Sequence, residues 1–236
     1  MTRVRLVTWN IHACVGRDRR YDPARTASVL RTLDADVIGL QEVDWRHPNR
    51  NGLDQLAELA DRLGMTPIEG PNLEDHRGSY GNAILTRLPI ERTRELDLAI
   101  PEREPRGAID ASLSLGGRSL RVLVTHLGLS RRERWEQAAR IDRHLRAEPR
   151  PRDQILALLG DLNEWRPGSR GPWRSLRAQF DCSCAPRTFP VRRPTLRLDR
   201  VLIAPAPDRF EGEAVRTRAA RLASDHLPVC VEAAWR

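Results

Sequence analysis

Apolar and polar residues alternate along this chain in short blocks, some with a period of two and others with helical spacing. Val4, Leu6 and Thr8 alternate with Arg3, Arg5 and Val7, a strand pattern that ends at Trp9 and Asn10. Asp22 before Pro23 supplies a helix cap with proline in the first turn, and Val29, Leu30 and Leu33 give the helix an apolar side. Val37 to Leu40 then predicts a short buried strand running into Gln41 and Glu42. Leu53, Leu56, Leu59, Ala60 and Leu63 recur at helical spacing, and Gly64 is placed to end that helix in a left-handed conformation. Ala83 to Leu85 follows as a strand.

From Ala108 to Thr125 two alternating runs flank Gly116 and Gly117, a hairpin whose central positions are both free to take positive φ. Ser130 and Glu133 form a capping box, with Trp135, Ala138, Ile141 and Leu145 lining one face of the helix behind it. Strands are expected again at Ile155 to Leu159, Leu198 to Ile203 and Leu227 to Val231. Residues 164 to 197, rich in Arg, Pro and Gly, are expected to form long loops with a short helix near Trp173. Strands alternating with helices, plus some direct hairpins, predict an α/β fold with mixed sheets covered by helices. No shift in composition marks a boundary, so a single domain over residues 1–236 is the expectation.

Composition alters this picture little. A chain of this length buries a sufficient core without disulfides or a structural metal. Cys14, Cys182, Cys184 and Cys230 lack paired metal-binding spacing and are expected to be reduced thiols without a metal role. There is no apolar run long enough to cross a membrane and no secretory signal pattern, which makes the cytoplasm the expected compartment. The net charge of +8 would favour a polyanionic partner. All 40 basic residues are arginine, however, and they are spread through an Ala- and Pro-rich chain, which is the mark of a compositional bias. Nucleic acid is therefore open as a partner rather than indicated, and nothing indicates an obligate protein partner.

The chemistry collects at strand ends. Asn10 follows the first strand, Glu42 the second and His126 the hairpin; Asp161 and Asn163 follow the Ile155 strand, Asp199 begins the next, and Asp225 and His226 precede the last. Together these residue types meet the needs of a metal-assisted hydrolysis of a phosphate ester. A hard divalent ion takes oxygen ligands, which Glu42, Asn10 and Asp225 offer. His226 can deprotonate a water, with a carboxylate such as Asp199 holding its ring, provided that folding brings the two together.

The segments TWNIH (8 to 12), LQEVD (40 to 44), GNAILTRLPI (81 to 90), VTHLG (124 to 128), LGDLNEW (159 to 165), LDRVLI (198 to 203) and SDHLPV (224 to 229) resemble the endonuclease/exonuclease/phosphatase superfamily, in its order and over nearly the whole chain. The resemblance implies a DNase I-like, four-layered α/β/β/α sandwich of two mixed sheets flanked by helices. It also implies Glu42 as the main Mg²⁺ or Mn²⁺ ligand aided by Asn10, Asp161 and Asn163 orienting water and phosphate, and His226 with Asp199 as base. Asp225 would support metal or phosphate, and His126 would bind the phosphate or help the leaving group.

Apurinic-site repair members carry a tyrosine motif where this chain has VTHLG, so the likeness is greater to the DNase I, sphingomyelinase and inositol-phosphatase side. WNIH, QEVD and Pro-Arg-Gly at 105 to 107 are similar to small bacterial members associated with phospholipid metabolism. The implied activity is a phosphodiesterase on a phospholipid or small phosphate ester. A DNase-like nuclease and a catalytically silent RNA- or protein-binding member are the alternatives. Asn82 can reach substrate or cap a turn, and Arg106 can clamp a phosphate or make an exposed ion pair. His12 can support the metal motif or make a structural hydrogen bond, while His47, His76 and His144 are expected to be solvated. Trp45, Trp165 and Trp173 can line the site or pack in the core.

Overall fold

The computed structural model describes residues 1–45, 54–76, 78–165 and 171–236. Two expectations, Leu53 as the first apolar position of its helix and a solvated His47, lie outside the described residues.

The alternation at the start of the chain becomes β1 (Thr2–Asn10), and both of its faces are covered. Val4 and Leu6 point into one buried cluster, Val7 and Trp9 into another. That division repeats across two six-stranded mixed sheets. The first holds β1, β2 (Val37–Asp44), β3 (Thr66–Asp75), β4 (Gly78–Thr86), β11 (Arg209–Ala214) and β12 (Val229–Trp235), in the order β11-β12-β1-β2-β4-β3. The second holds β5 (Ile90–Asp97), β6 (Gly107–Leu115), β7 (Arg118–His126), β8 (Ile155–Asp161), β9 (Cys182–Cys184) and β10 (Asp199–Ala204), in the order β5-β6-β7-β8-β10-β9. Each sheet has one parallel pair near its centre, β1 with β2 and β7 with β8.

Between the sheets lies the main core, where Leu6, Val37 and Ile84 from one meet Val122, Leu159 and Val201 from the other. Outside the first sheet, α1 (Pro23–Leu33) and α2 (Gln55–Leu63) bury Leu30, Leu33, Leu56 and Leu59. Outside the second, α3 (Arg131–Ala147) and α4 (Pro172–Arg177) bury Ile141, Leu145, Trp173 and Leu176. The result is the four-layered α/β/β/α sandwich. A last short helix, α5 (Arg218–Ala223), precedes the SDH segment.

Local signals behave as their chemistry dictates. Asp22 accepts from the Arg25 amide at 2.8 Å, and the Ser130 and Glu133 side chains complete a reciprocal capping box. Gly116 and Gly117 take φ of 55° and 86° in the turn between β6 and β7. The pattern missed β3, β5, β9, β11 and α5, and His144 is not solvated: its Nε2 lies 2.7 Å from Asp110 Oδ2, in a buried cluster with Arg121. The four cysteines are free thiols. Among the described residues no helix is long and apolar enough to cross a membrane.

Candidate functional site

Strand ends from both sheets meet at one edge of the sandwich, and Asp161 lies at the centre of what they carry. Its Oδ2 is 3.3 Å from Asn10 Nδ2, 3.6 Å from His126 Nε2 and 3.7 Å from His226 Nε2. Its Oδ1 accepts from the Asn163 amide at 3.0 Å. The register of the second sheet makes this possible, because β7 runs parallel to β8 with His126 beside Asp161, and β10 antiparallel to it with Asp199 beside Asp161. Gly160 supports that register. Its φ of 159° is open to glycine, and a Cβ there would stand 2.0 Å from the Thr125 carbonyl oxygen on β7.

The His226 ring is held from several sides. Nδ1 is 2.9 Å from Asp199 Oδ2, which also receives the Thr188 hydroxyl. The Phe189 ring lies against the imidazole with centroids 4.7 Å apart. The backbone is fixed by Trp9 Nε1, which donates to the His226 carbonyl at 3.0 Å, and by Ser224 Oγ, which accepts from the His226 amide and donates to the Asn10 carbonyl. Thr188, Phe189, Ser224 and Trp9 were not singled out from the sequence. Ser224 could have been, since a serine two residues before a histidine commonly caps its amide; the others join the site only through folding.

Glu42 sits at a bulge in β2, in the left-handed region at φ 58°, a conformation that costs a non-glycine residue about 1 kcal/mol or more. Asn10 Nδ2 donates to Glu42 Oε1 at 2.8 Å, and Asn10 Oδ1 accepts from the His12 amide. Asn10 therefore turns its amide nitrogen, not its oxygen, towards the two carboxylates. Asp225 is half-buried, next to the ring-bearing residue. His126 Nδ1 lies 3.2 Å from Arg106 Nη1, and its Nε2 3.1 Å from Asn163 Nδ2, which donates to the Leu127 carbonyl at 2.9 Å.

Arg106 is buried, with its other terminal nitrogen on Glu104 at 3.1 Å, so its terminal nitrogens face His126 and Glu104. Asn82 is fully buried on β4; Nδ2 donates to the Gly107 carbonyl at 3.1 Å, while Oδ1 has no partner among the described residues. Trp173 belongs to the core, whereas Trp165 is 42% exposed next to the site, with the Arg134 guanidinium 4.9 Å from its ring. His12 bonds the Val15 carbonyl through Nδ1.

Charge sorts the two imidazoles into opposite states. Burial alone would lower the His226 pKa, but the carboxylates of Asp199, Asp161 and Asp225 outweigh it and raise it to about 10. Burial, with the positive charges of Arg106 and His226, holds His126 well below the ordinary 6.5. Burial and the nearby Asp199 charge push Asp161 up to about 7.

Such a crowd of carboxylates suits a cation. Asp161, Asp199 and His226 place ligand atoms within 4.8 Å of one another, yet Asp199 Oδ2 is already engaged by Thr188 and the ring. Glu42, less enclosed and adjacent to Asn10, offers a carboxylate oxygen of the kind a hard ion takes.

Comparison with known proteins gives consistent results. A model of the Endonuclease/Exonuclease/phosphatase family matches residues 7–226. Protein YbhP of Escherichia coli (strain K12) is 30% identical over 244 residues, spanning 97% of this chain and 95% of that protein. A solved endonuclease/exonuclease/phosphatase family protein from Bacteroides thetaiotaomicron superposes with a TM-score of 0.78 at 19% identity, over 100% of this chain and 98% of that one. The mannosyl-6-phosphatase of Bacteroides thetaiotaomicron VPI-5482 gives 0.75 at 19% identity, over 97% and 98%.

Proposed function

The chain belongs to the Endonuclease/Exonuclease/phosphatase family, and from that premise we propose that it is a divalent-metal-dependent phosphodiesterase that cleaves a P–O bond by in-line attack of water. The fold is one used by hydrolases of phosphate esters. One observation carries the reading: Asp199, His226, Asp161 and His126 form a continuous buried chain beside the Glu42 and Asn10 pair.

Glu42 would hold Mg²⁺ or Mn²⁺, with Asn10 orienting its carboxylate and Asp225 nearby. When bound, such an ion supplies charge neutralisation at the phosphoryl oxygens and a more acidic water. The protein's own groups divide the proton work. The carboxylates of Asp199, Asp161 and Asp225 favour the charged ring, so His226, which the resemblance implies as the base, is oriented by Asp199 to act first as a positive charge and acid. Asp161, raised to about 7 and lying 3.7 Å from that ring, is matched to accept the proton of the attacking water near neutrality. Asn163 and His126 close the other side and orient the phosphate. In-line displacement needs mainly positioning and charge complementarity, which these groups provide.

A single panel tests this. Purified protein is assayed with Mg²⁺ or Mn²⁺ on bis-p-nitrophenyl phosphate, p-nitrophenyl phosphate, plasmid DNA, RNA and phospholipid, beside Glu42→Gln and His226→Ala. Turnover of the diester that needs metal and is lost in both variants supports the reading. Preferential nicking of plasmid would move the substrate to nucleic acid, and no hydrolysis at all, with both variants equal to wild type, would end the phosphoesterase reading.

A further inference from the structure

Two imidazoles face the same Asp161 oxygen from nearly equal distances, 3.6 Å for His126 and 3.7 Å for His226. What differs is the group behind each ring. Behind His226 stands a carboxylate, which can only accept, so Nδ1 carries a proton. Behind His126 stands the Arg106 guanidinium at 3.2 Å, which can only donate and does not deprotonate in proteins.

We propose that Arg106 is a positioning residue that fixes His126 as its Nε2–H tautomer, leaving a neutral hydrogen-bond donor aimed at the phosphoryl group. Nδ1 must accept from the guanidinium, so the single ring proton of neutral His126 resides on Nε2. The competing arrangement would have Nε2 accept from Asn163 Nδ2 at 3.1 Å and turn an N–H towards Arg106. A charge-assisted bond is roughly twice as strong as one from a neutral amide, so the guanidinium decides. Asn163 keeps its own donor on the Leu127 carbonyl, and the Nε2–H lies on the side of the ring that faces Asn163 Nδ2 at 3.1 Å and Asp161 Oδ2 at 3.6 Å.

Arg106 is well built for this. It is buried, its second terminal nitrogen is tied to Glu104, and its carbonyl accepts from the Leu98 amide at 2.9 Å, fixing the backbone just before β6. The charges around His126, from Arg106 on one side and His226 on the other, also disfavour a second ring proton. His126 therefore donates a hydrogen bond rather than a proton. The role in turnover rests on the phosphoesterase reading above; the tautomer does not.

The test reads the two separately. Nitrogen-15 NMR of the histidine side chains at pH 7, with His126 assigned by comparison with His126→Gln, shows directly which ring nitrogen is protonated. Wild type should show Nε2–H, Arg106→Met should lose that preference, and Arg106→Gln, whose amide still donates, should restore it. With bis-p-nitrophenyl phosphate, Arg106→Met should lower kcat roughly tenfold to a hundredfold, as for loss of one preorganised donor. KM should move by less than about threefold, since the donor acts mainly in the transition state, and Arg106→Gln should recover most of kcat. An Nδ1–H ring in wild type, or an unchanged tautomer in Arg106→Met, overturns the proposal. If Arg106→Met does not fold, the wild-type spectrum and Arg106→Gln decide it. If the diester is not turned over, the hydrolytic reading fails while the tautomer is still read.

Discussion

Replacing Asp199 by Asn tests the charge logic of the site most sharply. The change keeps the shape of the side chain and an oxygen for the Thr188 hydroxyl, but removes the negative charge 2.9 Å from His226 Nδ1. Raising an imidazole from 6.5 to about 10 represents about 5 kcal/mol of preference for the charged ring. Three carboxylates share that preference, and Asp199 is the one bonded to the ring. An opposite charge at such a distance moves a pKa by roughly 1 to 3, so the substitution should cost roughly 1 to 4 kcal/mol of it. Activity should rise as Asp161 loses its proton near 7 and fall as His226 loses its own near 10. Without the Asp199 charge the ring releases its proton at lower pH, and Asp161, partly raised by that charge, also titrates lower. Both limbs of kcat/KM for bis-p-nitrophenyl phosphate, followed from pH 5 to about 11, should therefore move down, the alkaline one by roughly 1 to 3 pH units. The maximum should fall by roughly 10²–10⁴, as expected when an amide replaces the carboxylate that orients a catalytic imidazole. A variant profile that superimposes on wild type would refute the claim that the Asp199 charge sets the state of the ring.

Other positions give independent checks. At Glu42, with φ 58°, only glycine is relaxed, so Glu42→Gly should be more stable to urea than Glu42→Ala by about 1 kcal/mol, while both lose metal-stimulated turnover. Gly160→Ala sets a methyl 2.0 Å from the Thr125 carbonyl and must prise β8 from β7, costing roughly 1–3 kcal/mol in thermal unfolding and lowering kcat through the displaced His126 and Asp161 pair. Asp110→Asn breaks the buried contact with Arg121 and His144 and should cost about 3–5 kcal/mol at pH 7. Burial opposes ionisation of Asp110, but Arg121 and His144 outweigh it and depress its pKa. That stabilisation is complete above the unfolded carboxylate's ordinary value of about 3.9 and is lost as pH falls through the lower folded value, so the gap between variant and wild type should close in acid denaturation.

Elements with strong local chemistry were legible from the chain alone. The Asp22 and Pro23 cap, the Ser130 and Glu133 box, the paired glycines at 116 and 117 and the left-handed Gly64 are all present where the pattern placed them. The strands that escaped notice share a location: β3, β5, β9 and β11 are the four outer strands of the two sheets. An outer strand has a neighbour on one side only, so it can be polar, as in IERTRELD, or carry proline, as in TPIEGPNLED, and loses the alternation that marks an inner strand. The site shows the same division. Its candidate residue types stood out at strand ends, but the Thr188 contact with Asp199 and the Arg106 contact with His126 did not, because each depends on how separate segments pack against one another.

What the sequence alone determined is therefore local: which stretches are extended or helical, where they stop, and which acids, amides and imidazoles stand at their ends. The resemblance of its ordered motifs added the layers. Only the tertiary structure decided that β7 and β8 run parallel in the register that sets His126 beside Asp161, and that Asn10 reaches a carboxylate 151 positions away. It also decided that one histidine backs onto a carboxylate and the other onto a guanidinium. Periodicity and capping act over a few residues, whereas strand order, sheet packing and the fields they create depend on which distant segments come to share a buried edge.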